Sequence, residues 1–104
     1  MIYTINEIQQ IITPIAKKYR LRAVYLFGSY ARNEATDASD IDVLIDTADS
    51  TVNNLFDMGG LYNDLCENLK KDAGLITLDA LTQDSDKPWL TDNIMKERIV
   101  IYGK

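Results

Sequence analysis

The sequence predicts an α/β (α+β) fold, with a mixed three- to four-stranded sheet and helices packed on it. Three observations carry that prediction. Residues 25–46 read as strand, tight turn with a short helix, and strand, with apolar runs at Tyr25-Leu26-Phe27 and Ile41-Asp42-Val43-Leu44-Ile45 flanking a polar loop. Ile5, Ile8, Ile12, Ile15 and Tyr19 recur at helical spacing ahead of that unit, and Leu55, Met58, Tyr62, Leu65 and Leu69 behind it. Leu75-Ile76-Thr77-Leu78 supplies a third strand.

Taken in order, residues 4–20 form the first helix, opened by a capping box of Thr4 and Glu7. Pro14 lacks a backbone N–H and is expected to kink that helix or divide it in two. Arg22 to Phe27 is the first strand, and Gly28-Ser29 turns the chain. Asn33 is tolerated in the loop because asparagine readily visits left-handed backbone conformations. Ser39 hydrogen-bonds within the same loop, and the second strand follows. A polar connector, Asp46 to Thr51, leads to a second helix over residues 52–71. Gly59-Gly60 in its middle cost about 1 kcal/mol each relative to alanine, so either the helix breaks there or another backbone packs closely. Asp57, Asp64 and Glu67 are read as its solvated face. After the third strand, residues 81–88 read as a polar loop and Pro88 as the first turn of a third helix carrying a partly buried Trp89. Ile99 to Tyr102 closes the chain as a short apolar strand or extended tail.

Composition removes several function classes. At 104 residues the chain is read as one domain, residues 1–104. It has no histidine, which excludes histidine acid/base chemistry and histidine metal sites. Cys66 is the only cysteine, so no internal disulfide forms, and a reducing cytoplasm is expected. No apolar run approaches the roughly 20 residues of a membrane span, and the first residues lack signal-peptide character. A net charge of −5 argues against long nucleic acid as a partner, because such binding runs on phosphate neutralisation. It is compatible with a basic protein partner.

The chemistry gathers at the turn and the second strand. Alternation along a strand sends Asp40 and Asp42 to one face and Ile41 and Val43 to the other, towards a core. Two carboxylates so spaced lie roughly 7 Å apart and repel unless a proton or cation intervenes. Mg²⁺ favours one or two carboxylates plus substrate phosphates. Gly28 lets the backbone approach a ligand, and the N–H groups after it favour an anion. A phosphate cradle ten residues before a carboxylate pair points to metal-assisted chemistry on a nucleoside triphosphate. Arg32 has two readings, an ion pair with Glu34 or Asp37 or a contact to phosphate.

Gly28-Ser29, ten residues, then Asp40-Ile41-Asp42 resemble the signature of the nucleotidyltransferase superfamily that includes DNA polymerase beta. The flanks, Leu26-Phe27-Gly28-Ser29-Tyr30-Ala31-Arg32 and Ser39-Asp40-Ile41-Asp42, resemble its smallest members, the minimal nucleotidyltransferases, many of them antitoxins paired with a helical HEPN-type toxin. The resemblance implies a nucleotidyltransferase fold over nearly the whole chain and transfer of AMP from ATP to a hydroxyl, a tyrosine of the partner toxin being the leading candidate. It implies that Asp40 and Asp42 hold Mg²⁺ (or Mn²⁺) and that Gly28, Ser29 and Arg32 bind the nucleotide phosphates. A homo- or hetero-oligomer is compatible with this.

One departure from the pattern stands out. Family members usually carry a third carboxylate at the start of the third strand, as base and metal ligand, and here Gly74 occupies that position. Losing a general base typically costs about 10²–10⁴-fold in rate. Asp72, two residues earlier, is the candidate third acid, and Asp79 the weaker one. The competing reading is therefore a catalytically weak or silent antitoxin that neutralises its partner by binding alone. A small-molecule nucleotidyltransferase ranks third, because such enzymes usually add a helical domain that this chain lacks.

Overall fold

In the computed structural model, which describes residues 2–83 and 88–103, the strand–turn–strand unit forms the centre of a sheet. Strands β1 (Ala23–Phe27) and β2 (Ile41–Asp46) pair antiparallel. Strand β3 (Ala73–Thr77) runs parallel to β2, and β4 (Ile99–Tyr102) runs antiparallel to β1. The order is β3-β2-β1-β4. The mixed four-stranded sheet agrees with the sequence-based prediction, and the C-terminal apolar run is one of its two edge strands.

Helix α1 (Ile5–Lys18) opens with the expected capping box. The Glu7 N–H donates to Thr4 Oγ1 at 3.1 Å and the Thr4 N–H donates to Glu7 Oε1 at 2.8 Å. Thr4→Ala is expected to cost about 1 kcal/mol, read as a lower urea midpoint with an unchanged slope. Pro14 does not divide the helix. Its ring is on the exposed side, while Ile8, Ile12, Ile15 and Ala16 bury the opposite face on both sides of the proline. Packing therefore holds the two halves in one element.

Helix α2 (Leu55–Leu69) is the crossover a parallel strand pair requires. It runs unbroken through Gly59 and Gly60. A Cβ on Gly60 would meet the Tyr19 hydroxyl at 3.3 Å and one on Gly59 would meet nothing within 4 Å, so no backbone packs closely there. The face it buries is Leu61, Leu65 and Leu69, with Met58 and Cys66 packed beside them. Leu55 is 89% exposed and Tyr62 is on the surface, against expectation. Adjacent residues on a helix lie about 100° apart, and periodicity alone did not choose between the tracks through Leu61 and Tyr62. Asp64 is also more than solvated surface. It accepts hydrogen bonds from Lys18 Nζ at 2.9 Å and the Tyr19 hydroxyl at 2.7 Å, tying α2 to α1. Those bonds hold its carboxyl below the usual range.

Both helices cover one sheet face. Val24, Leu26, Ile41, Val43 and Ile45 are fully buried there, with Ala73 and Ile101 alongside. The other face carries Ala23, Tyr25, Phe27 and Leu44 under two short helices, α3 (Leu78–Gln83) and α4 (Pro88–Glu97), through Leu81 and Ile94. Helix α3 occupies residues expected to end the third strand and begin a loop. Leu81 accounts for the difference, since it is buried in that second cluster. Pro88 opens α4 as predicted, and Trp89, expected to be partly buried, is 61% exposed. Part of the expected 81–88 loop lies outside the described residues. No described helix is long and apolar enough to cross a membrane.

Candidate active site

Asp42 is the residue around which the site is built. It lies in β2 on the α3/α4 face, while its neighbours Ile41 and Val43 are fully buried on the other. The sheet register sets it opposite Phe27 on one side and Gly74 on the other. Gly28 comes directly after Phe27, so two glycines flank one carboxylate. A Cβ on Gly28 would overlap Asp42 Oδ2, and one on Gly74 would overlap Asp42 Oδ1. The space at 74, where the resemblance calls for an acid, is occupied by the Asp42 carboxylate itself.

Gly28 also has φ +75°, a left-handed conformation that side chains disfavour. Gly28→Ala is expected to lose about 1–3 kcal/mol in backbone strain and to displace Asp42 as well. Urea unfolding will measure the first, and nucleotide titration the second. The short helix expected after this turn is not formed. Its trace is the Arg32 N–H donating to the Gly28 carbonyl at 3.1 Å, followed by the Glu34 N–H donating to the Ser29 carbonyl at 2.8 Å. Asn33 adopts φ +59°, the left-handed role expected of it. Ser39 Oγ accepts the Thr36 N–H at 2.8 Å, closing the loop.

Asp40 precedes β2 and is exposed, whereas Asp42 is half-buried. Burial pushes the Asp42 carboxyl above its ordinary range, and the charge of Asp40 pushes it further. Arg32 pulls it down and Glu97 adds to the rise. The surroundings of Asp42 thus disfavour its ionised form, and a cation beside it would reverse that. Among the described residues, no group of three or more His, Cys, Asp or Glu side chains is gathered to hold a metal. Two carboxylates without a third suit an ion that arrives with phosphate oxygens of its own. The residues fit Mg²⁺ brought by a triphosphate better than a resident metal.

Arg32 meets Glu34 at 2.7 Å and also Glu97 at 3.1 Å. Glu97 is the residue that sequence reasoning missed. It ends α4, 69 positions after Gly28, and its Oε1 accepts the Gly28 N–H at 3.0 Å. No local pattern marks it, because only folding brings the end of α4 to the turn. Gly28, Arg32 and Glu97 line a concavity of about 480 Å³ together with Phe27, Leu90 and Asn93. Ser29 is half-buried in the turn beside it. Asp72 lies just before β3, exposed, with its carbonyl accepting the Ile41 N–H at 3.2 Å. It shares a second concavity, of about 380 Å³, with Asp40, Ser39, Lys70 and Lys71. Arg32 and Asp72 therefore border different hollows, Arg32 with the Gly28 turn and Asp72 with Asp40.

The family described as Polymerase beta, Nucleotidyltransferase matches residues 9–104. A Methanocaldococcus jannaschii protein provisionally named protein adenylyltransferase MJ0435 is 39% identical over 95 residues, covering 91% of this chain and 95% of that one. The fold is similar to a chain in a crystal structure of a toxin–antitoxin with AMP-PNP, with TM-score 0.72 and 23% identity over 92% of this chain and 73% of the other. It is also similar to a chain in the complex of tri-AMPylated Shewanella oneidensis HEPN toxin with MNT antitoxin, with TM-score 0.66 and 22% identity over 96% and 73% of the two chains.

Proposed function

This chain belongs to the polymerase beta nucleotidyltransferase family, and from that membership we propose that it is an antitoxin that transfers AMP from ATP to a hydroxyl of a helical HEPN-type toxin. A tyrosine is the leading acceptor, and the cytoplasm the place of action. The observation that carries the reading is the packing of the Gly28 turn onto the Asp42 carboxylate with the Arg32 guanidinium alongside. Candidate anion donors then lie directly against one of the two carboxylates, which is what a metal-bound triphosphate requires. The names of similar proteins support it, since one is provisionally called a protein adenylyltransferase and another belongs to a complex with an AMPylated HEPN toxin.

Asp40 and Asp42 would hold Mg²⁺ (or Mn²⁺), which when bound neutralises and orients the triphosphate. Gly28, Ser29 and Arg32 hold the β- and γ-phosphates. The acceptor oxygen bonds to the α-phosphorus as the bond to the β-phosphate's bridging oxygen breaks, and pyrophosphate leaves with that electron pair. The acceptor proton passes to a base, for which Asp72 is the candidate, at the mouth of β3 beside Asp40. The test incubates this chain with Mg·ATP and a helical HEPN-type toxin, which this reading expects to be encoded beside it, and reads AMP additions by intact mass.

Gly74 favours a second reading, a silent antitoxin that neutralises by binding alone, because the family's third acid position is filled by the Asp42 carboxylate instead. Asp42→Ala separates the two. An AMP-transferring antitoxin loses toxin inhibition with that substitution, and a binding antitoxin keeps it.

A further inference from the structure

We propose that the Glu97 carboxylate is an internal occupant of the triphosphate cradle, and that it sets nucleotide affinity by competing with phosphate for the same donors. This rests on the reading of the Gly28–Arg32 turn as the nucleotide site. Glu97 Oε1 accepts the Gly28 N–H at 3.0 Å, and Arg32 Nη1 donates to Oε1 at 3.1 Å and Oε2 at 3.2 Å. A carboxylate bound by a guanidinium and a turn amide presents two anionic oxygens to donors that serve phosphate equally well.

Two features oppose a carboxylate there, against a nearby cation outside the turn, Lys96, that lines the same concavity. Glu97 is the last residue of α4, where the helix dipole is negative and opposes a carboxylate. Its charge also raises the Asp42 carboxyl, so the two repel. The three donated hydrogen bonds offset both penalties. An incoming triphosphate takes over those donors and releases Glu97 to solvent, with which its side chain is already partly in contact. Arg32 keeps its second bond to Glu34, so the guanidinium stays at the turn during the exchange.

The opposing interpretation makes Glu97 a brace whose bonds shape the cradle for nucleotide. Glu97→Gln discriminates, because the amide oxygen still accepts from Gly28 while the charge is gone. Calorimetric titration of both chains with Mg·AMP-PNP, and with inorganic tripolyphosphate alone, is expected to show binding on the order of tenfold tighter in the variant. Unchanged or weaker binding in the variant, with binding intact in the parent chain, overturns the proposal and leaves the nucleotide site standing. No binding in either chain overturns both. A measurement on the unaltered chain avoids dependence on the variant's folding. The carboxyl carbon resonance of Glu97 should move to a solvent-exposed glutamate position as tripolyphosphate saturates and the Gly28 amide shifts. A Glu97 signal that stays fixed while Gly28 responds would rule out competition.

Discussion

Asp42→Asn should abolish metal-dependent binding of an ATP analogue and lower AMP transfer by about 10²–10³-fold or more, the scale of losing a group that stabilises charge in the transition state. It should also make the free protein more stable. Asp42 is half-buried, with Asp40 near enough to raise its carboxyl further. A folded pKa above the unfolded one means that protonation favours folding and that ionised Asp42 opposes it. The opposition is absent below the unfolded pKa, grows as pH rises through the folded one, and then stays level. Asparagine removes the charge while keeping the shape. Thermal melts should coincide at acid pH and separate towards neutral pH, with the variant higher. A variant that melts lower at neutral pH would mean that Asp42 is compensated in the free chain. That would remove the main argument for a cation there.

Gly74→Asp is the second large effect. In the parallel register Gly74 lies beside Asp42, the placement expected of a third carboxylate. An aspartate there cannot be accommodated passively, because its Cβ would overlap Asp42 Oδ1. That atom is the end of a rotatable side chain, so Asp42 can swing away from position 74 if it also clears the Gly28 turn packed on its Oδ2. The swing leaves three acids around the opening. With a base restored, AMP transfer should rise by about 10²-fold, the lower end of what a general base contributes. The readout is the rate of AMP addition to the partner at saturating Mg·ATP, with nucleotide affinity followed separately. A rate that stays flat while nucleotide still binds would place the base elsewhere, with Asp72 next to be replaced by asparagine.

Read along the chain, the local rules were reliable where each residue's partners are near in sequence. The capping box of Thr4 and Glu7, the positive φ of Asn33 and the loop bond of Ser39 all span three residues or fewer. Alternation was enough to send Ile41 and Val43 to the core and Asp42 to the opposite face. The Gly28–Asp42 spacing and its flanks identified the family, and with it the mixed sheet.

Other features depended on which surfaces the fold had left to cover. The proline in α1 broke nothing, because buried isoleucines on both sides outweigh one absent hydrogen bond. The helix over Leu78–Gln83 formed because Leu81 had a place under the sheet, and Trp89 had none. At the site, the sequence by itself singled out the candidates for the chemistry: Gly28, Ser29, Arg32, Asp40 and Asp42. The tertiary structure alone decided that the Asp42 carboxylate fills the space at Gly74 and that Glu97 reaches the Gly28 amide from 69 residues away. Contacts of that kind are set by the packing of a helix end against a strand end, and no periodicity in either segment encodes the distance between them.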